Sequence, residues 1–357
     1  MRFALSEDQK LLQDSVTRAL EKLSPLERVR RFADEGQATA PDIWAGLTEL
    51  GLPGLTIAED HGGLGLGLLE AAIAAEALGR AVAPTPFLGS AVLAPLALTL
   101  AGSPEQQALW LPKLAAGEAL AGVAISEPIA GARDGAGVQA ASGRLSGKTL
   151  FAIDAVGADV LVVADRAGGL HLAQSAQAIA QMSSIDATRR LSELTFDGTP
   201  AEPLASNQAL ERLRDAAWIL LAADTLGAAQ AMLDKAVAYA KERRQFGRVV
   251  GSFQAVKHLC AEMAADLEPA RALVWYAAYA FDHAPEEAPL MAAHAKAHLS
   301  EVGRFVARTS TEVHGGIGIT DLLGLHYWFK RIGLNRQLLG GPERVRETAA
   351  RLQGLVA

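Results

Sequence analysis

The sequence predicts an α+β protein, mainly helical, in which two helical regions flank a central β region. Three observations carry this. Hydrophobic residues make up 50% of the chain but aromatics only 5%, so the apolar content rests on Ala and Leu, both strong helix formers. Residues 121–205 depart from that, turning rich in Val, Ile, Gly and Ser. Apolar residues then recur at helical spacing from about Asn207 onward. At 357 residues the chain exceeds one ordinary core, and the composition shifts divide it into 1–120, 121–205 and 206–357.

In the first part, Ser6 is placed to cap a helix, with Glu7 and Asp8 facing the positive end of its dipole. Leu11, Leu12, Val16, Ala19 and Leu20 follow at helical spacing. A Gly-rich loop covers 58–65. Helices resume at Leu68 and after Ser103, which caps while Pro104 takes the first helical position. In the second part, strand-length runs at 122–126, 160–164 and 191–196 are bounded by Gly, Asp or Pro and predict a small β domain. In the third, Leu226, Leu233, Val237 and Ala240 share one helix face, with Asp234, Lys235, Lys241 and Glu242 mostly elsewhere. Further long helices are expected over 253–283, 286–315 and 342–357. Long helices with short connections predict a four-helix bundle.

A net charge of −7 argues against general nucleic-acid binding, which depends on neutralising phosphates. The single cysteine, Cys260, permits neither an internal disulfide nor a Cys-based zinc site, and its apolar helical setting predicts a buried structural thiol. The N-terminus has no apolar run of the secretory type. Apolar stretches elsewhere are broken by Gly, Pro or charge, so no membrane span and a cytoplasmic location are expected.

The most informative stretch is Glu242-Arg243-Arg244-Gln245-Phe246-Gly247-Arg248, followed by Ser252-Phe253-Gln254-Ala255. A helix ends there in a basic turn, and a new one starts. Arginine offers paired donors to a pyrophosphate, Phe246 offers a flat face to an aromatic ring, and Gln254 can read polar edges. Alone, the same cluster also suits a solvated helix C-terminus. The stretch resembles the FAD-dependent acyl-CoA dehydrogenases, which carry E-R-x-x-F-G before a turn and F-Q after it. Other segments match the family in order. Ala58-Glu59-Asp60-His61-Gly62-Gly63 is similar to its P-E-E-x-G-G loop, and residues 110–118 to the segment before its β domain. Ala124-Ile125-Ser126-Glu127-Pro128 resembles its T-E-P strand, and Glu312-Val313-His314-Gly315-Gly316-Ile317-Gly318 its Q-x-x-G-G-x-G segment.

The resemblance spans nearly the whole chain. It implies an N-terminal helical domain, a middle β barrel and a C-terminal four-helix bundle, with FAD as cofactor. It implies an acyl-CoA substrate, with electron-transfer flavoprotein as electron acceptor. It assigns FAD contacts to Arg243, Gln245, Phe246, Val250, Phe253, Gln254, Glu312, Gly315, Gly316 and Ser126. The family's chemistry removes an α-proton to a carboxylate and a β-hydride to the flavin. A hydrogen-bonded thioester oxygen makes that proton removable, so the base must be placed and desolvated rather than strong.

Against that requirement the sequence departs. Gly340 stands where much of the family carries its glutamate, and Ala217 where other members place it, beside Trp218 where an arginine is frequent. The flavin-flanking W-I-T corresponds to Phe151-Ala152-Ile153, and a family serine to Ala132. Glu312 replaces the glutamine of the Q-x-x-G-G segment. By contrast, Arg243, Phe246, Phe253 and Gln254 are kept. In this family that group reaches the FAD of the neighbouring subunit. The resemblance thus points to a partner subunit of a heteromeric acyl-CoA dehydrogenase. A self-sufficient homo-oligomer with a relocated base, at Glu343, Glu211 or Asp215, is the alternative. A non-enzymatic protein on the same fold is a third reading. For Glu343 the helix first turn behind Pro342 is explanation enough.

Other candidates carry less. His314 and His61 sit beside glycine pairs with no carboxylate at metal or triad spacing, and read as structural. The 62–65 glycines lack the strand before and helix after that a phosphate loop needs. Arg331 lies near the family's R-D-A region without its aspartate and receives no role.

Overall fold

The structure is a computed structural model that describes residues 4–205 and 208–356. The chain start at Met1 and the junction drawn at residue 206 lie outside the described residues. Most of the chain is helical, around a central sheet.

Six helices open it: α1 (Glu7–Leu23), α2 (Leu26–Asp34), α3 (Pro41–Thr48), α4 (Leu68–Arg80), α5 (Ala94–Ala101) and α6 (Pro104–Ala115). Local chemistry sets their starts. The Ser6 hydroxyl accepts the Gln9 N–H at 3.1 Å, and the Gln9 side chain accepts the Ser6 N–H at 2.8 Å. Ser103 and Gln106 form the same reciprocal box ahead of α6, with Pro104 in the first turn. Along α1, Val16 and Leu20 are buried while Leu11 points to solvent.

The sheet comprises β1 (Ala121–Ala124), β2 (Gly137–Ala141), β3 (Arg144–Ile153), β4 (Val160–Ala164), β5 (Leu170–Ala173), β6 (Ala178–Gln181), β7 (Leu191–Pro200) and β8 (Glu202–Pro203), with a short helix, α7 (Ser126–Ala130), after β1. Its order is β6-β7-β3-β1-β4-β5-β8, with β2 beside β3. β1 runs parallel to β4, setting Val123 against Val162. Among the described residues no pairing joins β6 to β8, so the sheet does not show the closed barrel expected from the resemblance. The edge strands explain this: β8 is 2 residues long, and all 4 residues of β6 are exposed.

The remainder is α8 (Ala209–Glu242), a hairpin of β9 (Arg244–Gln245) and β10 (Arg248–Val249), then α9 (Gln254–His283), α10 (Ala288–His314), α11 (Leu325–Gln337) and α12 (Pro342–Leu352). Helices α8 to α11 pack on one another, and α12 lies against α10. Helix α11 has no counterpart in the sequence prediction, because buried Arg331 and Asn335 interrupt its apolar face. Helix α8 corrects another expectation: it is long and apolar enough to cross a membrane by length and composition. Its apolar window is 94% buried inside the protein, as a core helix would be.

Helix α4 lies along α8 at backbone contact, which two glycines permit. A Cβ on Gly79 would stand 2.0 Å from the Asp224 carbonyl oxygen, and one on Gly227 1.8 Å from that of Glu76. Next to this seam lies a buried ionic network. Arg331 donates to Asp186 at 2.6 Å, Asp224 at 3.1 Å and Thr188 at 2.6 Å. Arg189 pairs with Asp224 at 2.9 Å and also donates to Asn335. Asn335 donates to Asp224 at 2.6 Å, and Lys296 donates to the Asn335 carbonyl. Burial opposes the Arg331 charge, but Asp186 and Asp224 outweigh it and hold its pKa above the ordinary value. Arg331 is therefore the clamp between the β6–β7 loop and the bundle, not a residue without a role.

Candidate functional site

A cavity of about 490 Å³ opens where the sheet meets the α11–α12 turn, lined by Ser126, Glu127, Arg133, Phe151, Gln337 and Gly340 among others. Phe151 is held at φ 57°, a left-handed conformation that costs an aromatic residue energy and marks a constrained position. The Arg133 guanidinium stands 4.7 Å from its ring centroid. The Ser126 hydroxyl points back to the Phe151 carbonyl at 3.4 Å.

Glu127 is the one carboxylate among the lining residues, and strand β3 holds both its oxygens: one accepts Thr149 Oγ1 at 2.5 Å, the other the Leu150 N–H at 2.6 Å. It braces α7 against the sheet and is not placed as a free base. Gly340 adopts φ 110° with open space beside it, the nearest atom to a Cβ there being Val345 Cγ2 at 3.7 Å. Ala217 is fully buried. The Trp218 indole donates to the Leu339 carbonyl at 2.8 Å and so covers the inner side of the Gly340 turn.

None of the three carboxylates weighed as replacements is among the lining residues, although Glu343 lies at the rim, its Oε2 3.3 Å from where a Cβ on Gly341 would stand. Glu343 is 75% exposed and faces Arg336 at 3.5 Å. Glu211 lines a separate polar cleft with Arg214, Arg344 and Arg351. Asp215 is buried and paired with Arg214 at 2.8 Å, and burial raises its pKa to about 6. Ile153 is buried in the core and Ala132 is exposed, so neither presents a polar group inside.

The remaining predicted residues gather at one end of the bundle. Arg243 ends α8, and the hairpin turns through Phe246 and Gly247 at φ 52° and 77°. A two-residue turn with both residues left-handed suits the strand twist, yet an aromatic at its first position is strained. Phe246 is 91% exposed and meets Phe253 edge to face at 6.1 Å. Arg248 lies 4.0 Å over the Phe253 ring. Among the described residues no carboxylate lies within 4.0 Å of Arg243, Arg244 or Arg248. Gln245 and Gln254 are exposed, and Val250 is half-buried. Glu312, Gly315 and Gly316 are exposed at the end of α10, beside this hairpin: Tyr239 of α8 packs against His314 of α10 with ring centroids 4.7 Å apart. His314 is itself buried with Nδ1 2.7 Å from the Ser310 carbonyl, a structural histidine as the sequence suggests. Only Ser126 of the ten predicted contacts lies at the Gly340 cavity.

Two family models match: the acyl-CoA dehydrogenase N-terminal domain over residues 6–118 and its C-terminal domain over residues 207–353. The acyl-CoA dehydrogenase IpdE2 of Mycobacterium tuberculosis is 36% identical over 342 residues, covering 95% of each chain. The chain belongs to the acyl-CoA dehydrogenase family. The Mycolicibacterium smegmatis protein named IpdE2 is 35% identical, over 99% of this chain and 100% of that one. The ChsE4-ChsE5 complex of Mycobacterium tuberculosis contains a chain that superposes with a TM-score of 0.91 at 26% identity, each covered fully. A variant of the Tcur3481-Tcur3483 steroid ACAD superposes with 0.88 at 29% identity, each chain covered to 98%.

Acyl-CoA dehydrogenases are flavoprotein oxidoreductases, and two surfaces here fit parts of an FAD. The hairpin supplies cations without carboxylate partners and an exposed ring, which suit a diphosphate and an adenine or flavin face. The Gly340 cavity supplies apolar walls, Phe151 and Arg133, and a single hydroxyl at Ser126. Sequence reasoning missed Arg133, which no motif flags, and the bracing role of Glu127.

Proposed function

We propose that this chain is the non-catalytic subunit of a heteromeric, FAD-dependent acyl-CoA dehydrogenase. One observation carries the reading. The cavity at Gly340 contains no available carboxylate, while the hairpin from Arg243 to Gln254 keeps its unpaired cations and exposed Phe246. FAD, when bound, supplies the hydride acceptor for α,β-desaturation of an acyl-CoA thioester. The chain's contribution is positional: Arg243, Gln245, Gln254, Gly315 and Gly316 hold the diphosphate side, with Phe246, Val250 and Phe253 against the rings. Glu312 borders the same surface, and Ser126 and Phe151 line this chain's own remnant cavity. The partner acyl-CoA dehydrogenase subunit provides the base and the acyl pocket, and electron-transfer flavoprotein reoxidises the assembly. The names of the relatives support a bulky, steroid-type acyl group and a two-protein assembly. On this reading the protein works in the cytoplasm, with residues 1–120, 121–205 and 206–357 as its three domains.

Glu211 lies in a separate cleft, Asp215 is paired with Arg214, and Glu343 at the cavity rim is exposed and faces Arg336, which together weigh against a self-sufficient homo-oligomer. The test is co-expression with candidate partner subunits. Turnover and full FAD loading are expected only in the pair. Exchanging the partner's carboxylate should abolish turnover, and Arg243→Ala here should lower FAD content. Full FAD loading and steady turnover by the lone chain would overturn the proposal.

A further inference from the structure

The segment 315–324 between α10 and α11 carries Gly315 and Gly316, and apolar packing does little to hold it. Ile319 and Leu322 stand in solvent, 82% and 75% exposed. Ile317 and Leu323 are half-buried, and the two buried residues, Gly318 and Gly324, have no side chain to pack. A Cβ on Gly315 or Gly316 would meet nothing within 4 Å, so their backbone faces open space. A segment with so few buried apolar contacts opens locally at low cost unless hydrogen bonds hold it.

Helix α2 supplies such bonds through Arg30. Its Nη1 donates to the Asp321 carboxylate at 3.1 Å, and its Nη2 donates to the Leu322 carbonyl at 3.0 Å and to the Asp321 carbonyl. One guanidinium thus holds both the backbone and the side chain of a single turn, which its planar, preorganised donors do with little loss of entropy. The Arg30 side chain is 26% exposed against 72% for Asp321, so the anchor is the better ordered partner. Gly324 lets α2 come close: a Cβ there would stand 3.0 Å from Leu26 and 3.2 Å from Arg30 Nη2. His326 adds a contact to Asp321 at 3.3 Å, but burial lowers its pKa and leaves the ring uncharged near pH 7. The segment also doubles back, with Gly318 so near α10 that a Cβ would stand 2.6 Å from the Thr311 carbonyl oxygen. Freedom gained at Asp321 therefore passes to the Gly315–Gly316 turn through a short, compact stretch of chain.

We infer that Arg30 is a positioning residue for the flavin: from the N-terminal helices it holds the segment that presents Gly315 and Gly316 to the diphosphate side. The inference rests on the proposed role of that surface in completing a partner's FAD site. Arg30 acts through the backbone it fixes.

The test uses the full chain copurified with its partner subunit. It reads deuterium exchange over residues 315–324, measured on the chain alone as well, and FAD retained when the pair is diluted. Arg30→Ala should speed exchange across the segment about tenfold and weaken FAD retention by about the same factor, the scale of a lost charge-assisted contact, with the urea midpoint nearly unchanged. Arg30→Lys keeps the charge but loses the paired donors, and should fall between Arg30→Ala and the parent. Arg31→Ala removes an exposed charge from the next position on α2 and should change neither readout. Arg243→Ala should weaken FAD retention and leave exchange over 315–324 unchanged. If Arg30→Ala does not fold, Arg30→Lys decides. Unchanged exchange in the Arg30 variants, equal losses in Arg31→Ala, or full FAD retention by the Arg30 variants where Arg243→Ala loses it would each overturn the inference. FAD retention indifferent to Arg243→Ala would instead sink the flavin reading, and this inference with it.

Discussion

The indole N–H of Trp218, buried on α8, donates to the backbone carbonyl of Leu339 at 2.8 Å, and so ties the long bundle helix to the turn that carries Gly340. Leu339 itself has φ 58°, so the turn holds a leucine in a left-handed conformation that its surroundings must enforce. Trp218→Phe keeps most of the packing and deletes the donor. It should cost about 1–3 kcal/mol, since the Leu339 carbonyl is left buried and unsatisfied. Urea denaturation of both proteins measures the difference; an unchanged midpoint would show that the turn is held by other contacts.

Restoring a carboxylate at Gly340 should not restore a dehydrogenase. Space for a side chain exists, with nothing nearer than 3.7 Å to a Cβ, but φ 110° is a glycine conformation. Gly340→Glu should lower stability by about 1–3 kcal/mol as the backbone strains or rearranges. The lone chain should show no acyl-CoA turnover, because Phe151, Ile153 and Ala132 still lack the family's polar contacts to the flavin. A dye-coupled assay on the purified variant checks this, and appreciable turnover would mean that the loss is confined to one residue.

The clamp at Arg331 predicts a large stability effect. Arg331→Leu strands Asp186 and Asp224 in the interior, and breaking a buried pair from one side costs about 3–5 kcal/mol. Arg28→Leu removes an ion pair whose Asp42 partner is 57% exposed, and should cost about 0–1 kcal/mol. Parallel denaturation curves compare the two. Equal losses would show that the Arg331 network contributes no more than a surface pair.

These contrasts show which features the sequence made legible. Helix starts were readable because Ser6 and Gln9, or Ser103 and Gln106, act within one turn. The basic turn was readable as a motif, though not its β9–β10 pairing or the strained φ of Phe246, which only the folded turn defines. The clamp was not readable. Arg331 meets Asp186 and Asp224 across 145 and 107 residues of chain, and a lone arginine in α11 gives no local sign of either partner. Closure of the sheet was not readable either, since it depends on whether short edge strands find each other rather than on their composition. The absence of a base at Gly340 was visible in the sequence, but the pairing of Glu343 with Arg336 and of Asp215 with Arg214 was not.

Lys296 supplies a pH-dependent prediction. It is buried on α10, with its ammonium donating to the Asn335 carbonyl, and burial lowers its pKa from 10.5 to about 7, with Arg189 and Arg336 adding repulsion. Between pH 7 and 10.5 the unfolded chain therefore holds a proton that the folded chain has released. Unfolding free energy then rises with pH across that window, by at most about 1.4 kcal/mol per pH unit from this group. Below pH 7 the penalty of burying the charge is present in full. Lys296→Met removes it, so the variant should exceed the parent in stability near pH 6 and lose that advantage toward pH 10. Denaturant midpoints for both proteins at several pH values between these limits test this. A stability difference that stays constant across the range would mean that Lys296 keeps its ordinary pKa in the fold.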